Sequence, residues 1–121
     1  TKERQRMETK QYRLPVMVEH RIRIVEHERV NYVRTRDVSD ALGIKQPFQF
    51  TKDIREAMGG HVILQGEDIK ELRDATDNAR TPYIKVTDMI EYLEADMLGH
   101  KTNGMKPTVI NALKEHMNRI N

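Results

Sequence analysis

The 121-residue chain contains no cysteine, no tryptophan and only two phenylalanines. Without cysteine it can form no disulfide, no thiolate metal site and no cysteine nucleophile. No apolar run approaches the roughly 20 residues that a membrane span needs, and the basic start lacks a signal peptide's apolar stretch. We therefore expect a soluble cytoplasmic module without membrane contact, whose core is built from Ile, Val, Leu and Met.

Motifs for metal or phosphate chemistry are also missing. The five histidines are scattered with no pair at i and i+4, and no phosphate-binding glycine loop is present. Asp37 and Asp88 recur at equivalent positions, but acidic residues in a first helical turn are explained by the positive end of the helix dipole. The sequence thus predicts a protein that is not an enzyme, with no catalytic residue, metal or cofactor.

The most informative pattern that is present is an internal repeat. Residues 32–42 read YVRTRDVSDAL and residues 83–93 read YIKVTDMIEYL, with a constant offset of 51 residues. Two copies are fewer than a solenoid needs, so we expect one strand-helix unit used twice in a single domain. Leu42 and Leu93 should then occupy equivalent buried sites.

Alternation of β-branched residues precedes the first unit. Val16, Val18, Ile22 and Ile24 alternate with polar residues, which predicts a strand. The polar run at 26–29 is a plausible hairpin turn into a second strand over residues 30–33. Residues 1–15 have little apolar periodicity and are predicted to form a flexible basic arm.

Each unit continues into a helix. In the first, Thr35 is a candidate N-cap and Gly43 a terminator. A second helix is predicted to follow, with Phe50, Ile54 and either Ala57 or Met58 facing inward. In the second unit Thr87 is the candidate N-cap, and the helix is predicted to end at Gly99. Between the units the sequence predicts a short strand at 61–64, a weak helical turn at 67–73 and a loop at 74–81.

The predicted organisation is therefore an α+β fold with a small hairpin-based sheet packed against short helices. The arm spans residues 1–15, the α+β domain 16–98, and a linker with a C-terminal amphipathic helix 99–121. The apolar stripe of that last helix either docks on the core or forms a homodimer. Because residue 1 is Thr rather than Met, we expect a processed or excised chain, and a further domain elsewhere stays open.

Charge is segregated although the net charge is only +2. Lys and Arg outnumber Asp and Glu by 10 to 5 in residues 1–36 and by 4 to 1 in residues 99–121, whereas residues 67–98 carry 4 against 9. Such asymmetry suits a surface that faces nucleic acid, although a solvated surface with internally paired charges is an equal alternative.

The pair of helices around Gly43 resembles a helix-turn-helix, whose second helix can enter the major groove of double-stranded DNA. Glutamine side chains can read adenine, and Lys or Arg can reach guanine or phosphate. An ordinary helical hairpin is the structural alternative, and both phenylalanines could instead fill the core. The candidate DNA-binding residues are Arg21, Arg23, Arg34, Arg36, Lys45, Gln46, Gln49, Lys52 and Arg55.

The segments YVRTRDVSDALGI and PYIKVTDMIEYL resemble the amino-terminal domain of the BRO family, found in phage antirepressors and viral regulators. Val33, Asp37, Val38, Leu42 and Gly43 match its first motif, and Ile84, Tyr92 and Leu93 match its second. Tyr32 and Tyr83 replace the family's Phe. The resemblance covers about residues 16–98 and implies an α+β DNA-binding module, usually joined to a domain that oligomerises or binds a repressor.

Two functions follow as expectations. The first is a DNA-binding transcriptional regulator module of phage or mobile-element type. The alternative is a protein-interaction module, an antirepressor that binds a repressor or another regulator. The acidic 67–98 segment would favour the second, and the salt dependence of DNA binding would separate the two.

Overall fold

The computed structural model describes residues 9–17, 20–59, 63–65, 68, 80–95 and 101–120. Across these ranges the chain is α+β, as predicted, with a five-stranded antiparallel sheet of order β1-β2-β3-β5-β4. The strands are β1 (Thr9–Met17), β2 (His20–His27), β3 (Val30–Arg34), β4 (Ile63–Gln65) and β5 (Pro82–Lys85). The helices are α1 (Thr35–Leu42), α2 (Pro47–Ala57), α3 (Val86–Glu94) and α4 (Lys106–Ile120).

The predicted hairpin connects β2 to β3. His27 pairs with Val30, so the turn consists of Glu28 and Arg29. Both have positive φ, 52° and 68°, which is the conformation that a two-residue hairpin of type I′ requires. The prediction of a turn at 26–29 was therefore right in place and too long by two residues.

The flexible arm predicted over residues 1–15 is wrong for its second half. Residues from Thr9 onward form β1 and pair with β2, and Leu14 is 9% exposed in the core. This strand was not predicted because its first residues, among them Lys10, Tyr12 and Arg13, are mostly polar. Its extended conformation is stabilised by hydrogen bonds to the neighbouring strand β2. Residues 1–8 lie outside the described residues.

The repeat is real, and its two strands are direct neighbours. Val33 pairs with Ile84, and Tyr32 and Arg34 pair with Lys85 and Tyr83 respectively. Since Val33 and Ile84 are themselves equivalent at the 51-residue offset, a local two-fold axis passes between them. The helices that follow, α1 and α3, begin at the equivalent residues Thr35 and Val86.

The predicted threonine N-caps are wrong. The N-cap positions are Arg34 and Lys85, and neither makes a side-chain cap hydrogen bond. The Thr35 hydroxyl instead hydrogen-bonds that of Thr51 at 2.9 Å, which joins the start of α1 to the middle of α2. Each strand thus runs directly into its helix without a separate capping residue.

The main core lies between one face of the sheet and all four helices described. Leu42 and Leu93 are 0% and 1% exposed, so they are equivalent buried residues as predicted. The sheet contributes Leu14, Ile22, Ile24, Val33 and Ile84, and the helices contribute Val38, Ala41, Phe50, Ile54, Val86, Met89, Tyr92, Val109 and Leu113. The opposite face of the sheet carries a smaller cluster of Val25, Leu64 and Tyr83 with Tyr32 packed against it.

The ends of two helices test the predictions. Helix α2 buries Phe50 and Ile54, and of the two predicted alternatives Met58 packs against the core while Ala57 is exposed. Helix α3 ends at Glu94 with Ala95 as its C-cap rather than continuing to Gly99. Residues 96–100 lie outside the described residues, as do most of the turn and loop predicted at 67–81.

The C-terminal helix docks on the core. Val109 and Leu113 are fully buried, and α4 contacts β1, α1 and α3. Of the two alternatives left open for its apolar stripe, docking on the core is therefore observed for Val109 and Leu113, while Ile110 and Met117 are only partly buried. No helix in the described part of the chain is long and apolar enough to cross a membrane.

The turn between α1 and α2 is held by the segment that precedes α4. Gly43 has φ 74°, and its N–H donates to the Asp40 carbonyl. Asn103 donates its side-chain amide to the Ala41 carbonyl at 3.0 Å and its backbone N–H to that of Leu42 at 2.9 Å. A Cβ at Gly43 would lie 3.3 Å from Asn103, so glycine suits both the conformation and the space.

Candidate nucleic-acid interface

Helix α2 is braced on one side and open on the other. Pro47 occupies its first turn, where the missing N–H costs nothing. Phe50 and Ile54 are fully buried, and the Phe50 ring meets Tyr92 of α3 edge-on with 6.3 Å between centroids. The Thr35–Thr51 hydrogen bond fixes the helix against α1. The core therefore determines which side chains of α2 face solvent.

The exposed side of α2 is a ridge of one aromatic and two cationic residues. Phe48, Lys52 and Arg55 lie at i, i+4 and i+7, which places them on one face of a helix. Phe48 is 91% exposed, and Lys52 and Arg55 are also exposed. Lys45 and Gln46 are exposed in the turn just before the helix. Five of the predicted DNA-binding residues are therefore exposed in one short segment: Lys45, Gln46, Gln49, Lys52 and Arg55.

The Gln49 side chain already forms a hydrogen bond within the protein. Its Nε2 donates to Asp53 Oδ1 at 2.8 Å, one helical turn further on. Reading adenine requires an amide hydrogen and the amide oxygen of the same glutamine. The bond to Asp53 uses one of the two amide hydrogens, so a contact to adenine would use the second amide hydrogen and the amide oxygen.

Arg23 requires a correction, because it is not on the surface. Its side chain is 0% exposed, and Nη1 donates to the Tyr83 hydroxyl at 3.0 Å. The guanidinium carbon also lies 5.9 Å from the centroid of the Tyr83 ring, within cation–π range. Arg23 therefore belongs to the packing of the second sheet face and cannot reach a phosphate in this conformation.

Arg34 requires the same correction. It is 7% exposed, and its Nε donates to Asp37 Oδ1 at 2.9 Å. The other oxygen of Asp37 accepts the backbone N–H of Arg23 at 2.8 Å. Burial raises the pKa of the Asp37 carboxyl, although Arg34 and the Arg23 amide both favour its charged form. Asp37 is thus a structural acceptor linking α1 to β2 and β3.

Arg21 and Arg36 are exposed but lie on other elements, β2 and the first turn of α1. Arg36 directly follows Thr35, the residue that contacts α2, so it is the nearer of the two along the chain to the α2 ridge. Of the nine predicted contacts, seven remain accessible and two are buried.

The exposure of Phe48 was not predicted from the sequence. The sequence left open whether both phenylalanines fill the core, and only Phe50 does so, while Phe48 projects into solvent. Phe48 lies off the stripe formed by Phe50 and Ile54, which is the signal that could have identified it.

Among the described residues no group of three or more His, Asp or Glu is arranged to hold a metal ion.

A second surface feature is a depression between α3 and α4. It has a volume of about 660 Å³ and is lined by Ile90 and Met117 with Glu91, Glu94 and Lys114 among the polar residues around them. Lys114 forms an ion pair with Glu94 across it. Its walls are the least basic of the surfaces described here.

In comparisons with known proteins, no family model, no curated protein and no solved structure matches this chain. The resemblance to the BRO family therefore stays a prediction, carried by the repeated segment and the helix pair.

Proposed function

We propose that this protein is a non-catalytic DNA-binding module of a cytoplasmic transcriptional regulator, of the phage or mobile-element type that the BRO resemblance implies. The observation that carries the proposal is the exposed cationic ridge of α2 on a helix braced by α1 and the core. A recognition helix needs this division between a packed side and a polar side. Lys52 and Arg55 would contact phosphates or guanine, and Gln49 would read a base edge.

The basic surface extends beyond α2. Lys45 and Gln46 precede the helix, and Arg36 and Arg21 add exposed positive charge on α1 and β2. Cations outside the groove fix register and orientation through phosphate contacts, which carry no sequence information. We therefore expect a few specific contacts from α2 and several non-specific ones from the other elements.

The test is the salt dependence of binding to a fluorescent 30-bp duplex, measured by anisotropy. Replacing both Lys52 and Arg55 with Ala should reduce the slope of log K against log salt by about 2 if both contact phosphates, and by about 1 if Arg55 contacts guanine instead, because each lost phosphate contact contributes about 0.9. The matched control is Lys114→Ala with Arg119→Ala, which removes the same charge from exposed positions on α4. Equal slopes for both double variants would reject α2 as the interface.

A sharper version of this test concerns sequence preference. Gln49→Ala and Arg55→Ala should lower affinity for a selected site more than affinity for random DNA, with an unchanged melting temperature. Each good bidentate contact contributes about 1–3 kcal/mol of discrimination. Equal losses on both DNAs would make these residues backbone contacts.

The second candidate is an interaction module that binds a repressor or another regulator. The depression between α3 and α4 favours it, since Ile90 and Met117 supply apolar surface beside acidic residues. This candidate predicts weak DNA binding with a shallow salt slope. A steep slope abolished by the α2 variants would favour the DNA-binding proposal over it.

A further inference from the structure

Phe48 is the large apolar side chain that the described part of the protein leaves in water, at 91% exposure. Burial of a phenylalanine stabilises a protein considerably, and an exposed one contributes almost nothing of this kind. Phe50, two residues later, is fully buried and edge-on to Tyr92. The core therefore contains Phe50, whereas Phe48 of the same helix is exposed to solvent.

Positive charge predominates around Phe48. Lys52 and Arg55 share its face of the helix at i+4 and i+7, and Lys45 precedes it in the turn, while Glu56 lies beside Lys52 and Arg55. Phe48 is the second residue of α2, so it lies at the N-terminal end of the helix, ahead of both cations. A ligand that fits this arrangement carries negative charge along its length and an apolar group at one point.

Duplex DNA has that combination in its major groove. Phosphates line the groove, and the 5-methyl group of thymine is the one apolar group that a base pair displays there. The N-terminal residues of a recognition helix are the ones nearest to base edges. We propose that Phe48 contacts a thymine methyl group in the major groove and makes this protein select thymine at that position. This inference rests on the proposed DNA binding through α2.

The experiment begins with selection of duplexes by the wild-type chain from a randomised 20-bp pool. The selected duplex is then synthesised with each thymine replaced in turn by deoxyuridine, which removes the methyl group and keeps the base pairing. Wild-type protein should lose about fourfold in affinity at one or two positions, the factor expected for burial of one methyl-sized group. Phe48→Ala should bind the thymine and uracil duplexes equally at those positions.

Two controls separate the possible failures. Phe48→Ala should keep the melting temperature, since the ring is exposed, and Lys45→Ala should weaken binding to both duplexes by the same factor. If the wild type distinguishes no thymine from uracil, or if Phe48→Ala loses the same factor on both, the methyl contact is refuted while DNA binding stands. If no duplex is enriched and Lys52 and Arg55 have no effect, the proposed function fails and this inference fails with it.

Discussion

Asp37 and Asp88 occupy the same position in the two halves of the repeat but have different surroundings. The helix dipole alone would assign each of them about 0.3–1 kcal/mol. Asp37 also accepts two hydrogen bonds, from Arg34 and from the backbone of Arg23, in a setting where its side chain is 10% exposed. The sequence suggested a structural role for both aspartates. Asp37 has more structural interactions than the helix dipole alone provides.

We therefore expect Asp37→Ala to destabilise the protein by about 3 kcal/mol, because it leaves a buried guanidinium and a backbone N–H without their acceptor. This value is at the low end for a broken buried pair, since burial already raises the pKa of the Asp37 carboxyl. Asp88→Ala should cost about 0.3–1 kcal/mol. Urea unfolding of both variants measures the difference, and equal losses would contradict it.

His116 of α4 should make stability depend on pH. It is 4% exposed, its Nε2 meets no hydrogen-bond partner among the described residues, and its ring packs edge-on against Tyr12. Burial and the nearby Arg119 lower the pKa of His116, while Glu26 acts in the opposite direction. The unfolded chain thus takes up this proton at a higher pH than the folded protein does.

The free energy of unfolding should therefore fall as pH drops below about 6.5, by at most about 1.4 kcal/mol per pH unit, until the lowered folded-state pKa is passed. His116→Phe keeps a ring beside Tyr12 and cannot be protonated, so its stability should not follow this decline. Melting temperatures between pH 7.5 and pH 5 compare the two proteins. A parallel decline in both would assign the effect to other groups.

Among the secondary-structure elements, the repeat was the strongest signal in the sequence. Its two strands could be recognised by their composition, and the glycine turn after α1 by Gly43. The direct pairing of these two strands could not be predicted, because the local sequence of a strand does not specify which other strand it will pair with. The strand character of residues 9–15 was missed because hydrogen bonds to β2, a separate strand, override the local propensity of this segment.

The two-fold relation makes a quantitative prediction about Leu42 and Leu93. Both are essentially unexposed on equivalent turns of α1 and α3. Replacing either with Ala should cost about 2–5 kcal/mol, because each leaves a cavity in the same core. Ile90→Ala, at a half-buried position of α3, is the control and should cost less. A loss below about 0.5 kcal/mol at either leucine would mean that its site collapses without penalty.

At the level of the whole molecule, the candidate site shows what alternation can and cannot predict. Period-2 spacing placed Ile22 and Ile24 in the core correctly, and it implied that Arg21 and Arg23 face water. The second face of the sheet is partly covered, however, with Val25, Leu64 and Tyr83 buried there. Arg23 was therefore misassigned because one sequence period cannot show whether a sheet is covered on one face or two.

Two deletions test the role of the basic residues near the start of the sequence. Residues 1–8 include Lys2, Arg4 and Arg6, whereas β1 begins at Thr9 and contacts both β2 and α4. Deleting residues 1–8 keeps all of β1, and it should reduce the salt slope of DNA binding by about 2 to 3 if these cations contact phosphates. Deleting residues 1–17 also removes Leu14 from the core and the strand that supports α4. That chain should lose its cooperative thermal transition.

Circular dichroism melting and anisotropy on the same two deletions keep folding and binding apart. A shorter deletion that melts normally and keeps the full salt slope would remove the arm from the interface and leave the α2 ridge to supply the phosphate contacts. A shorter deletion that melts early would instead make residues 1–8 part of the folded unit.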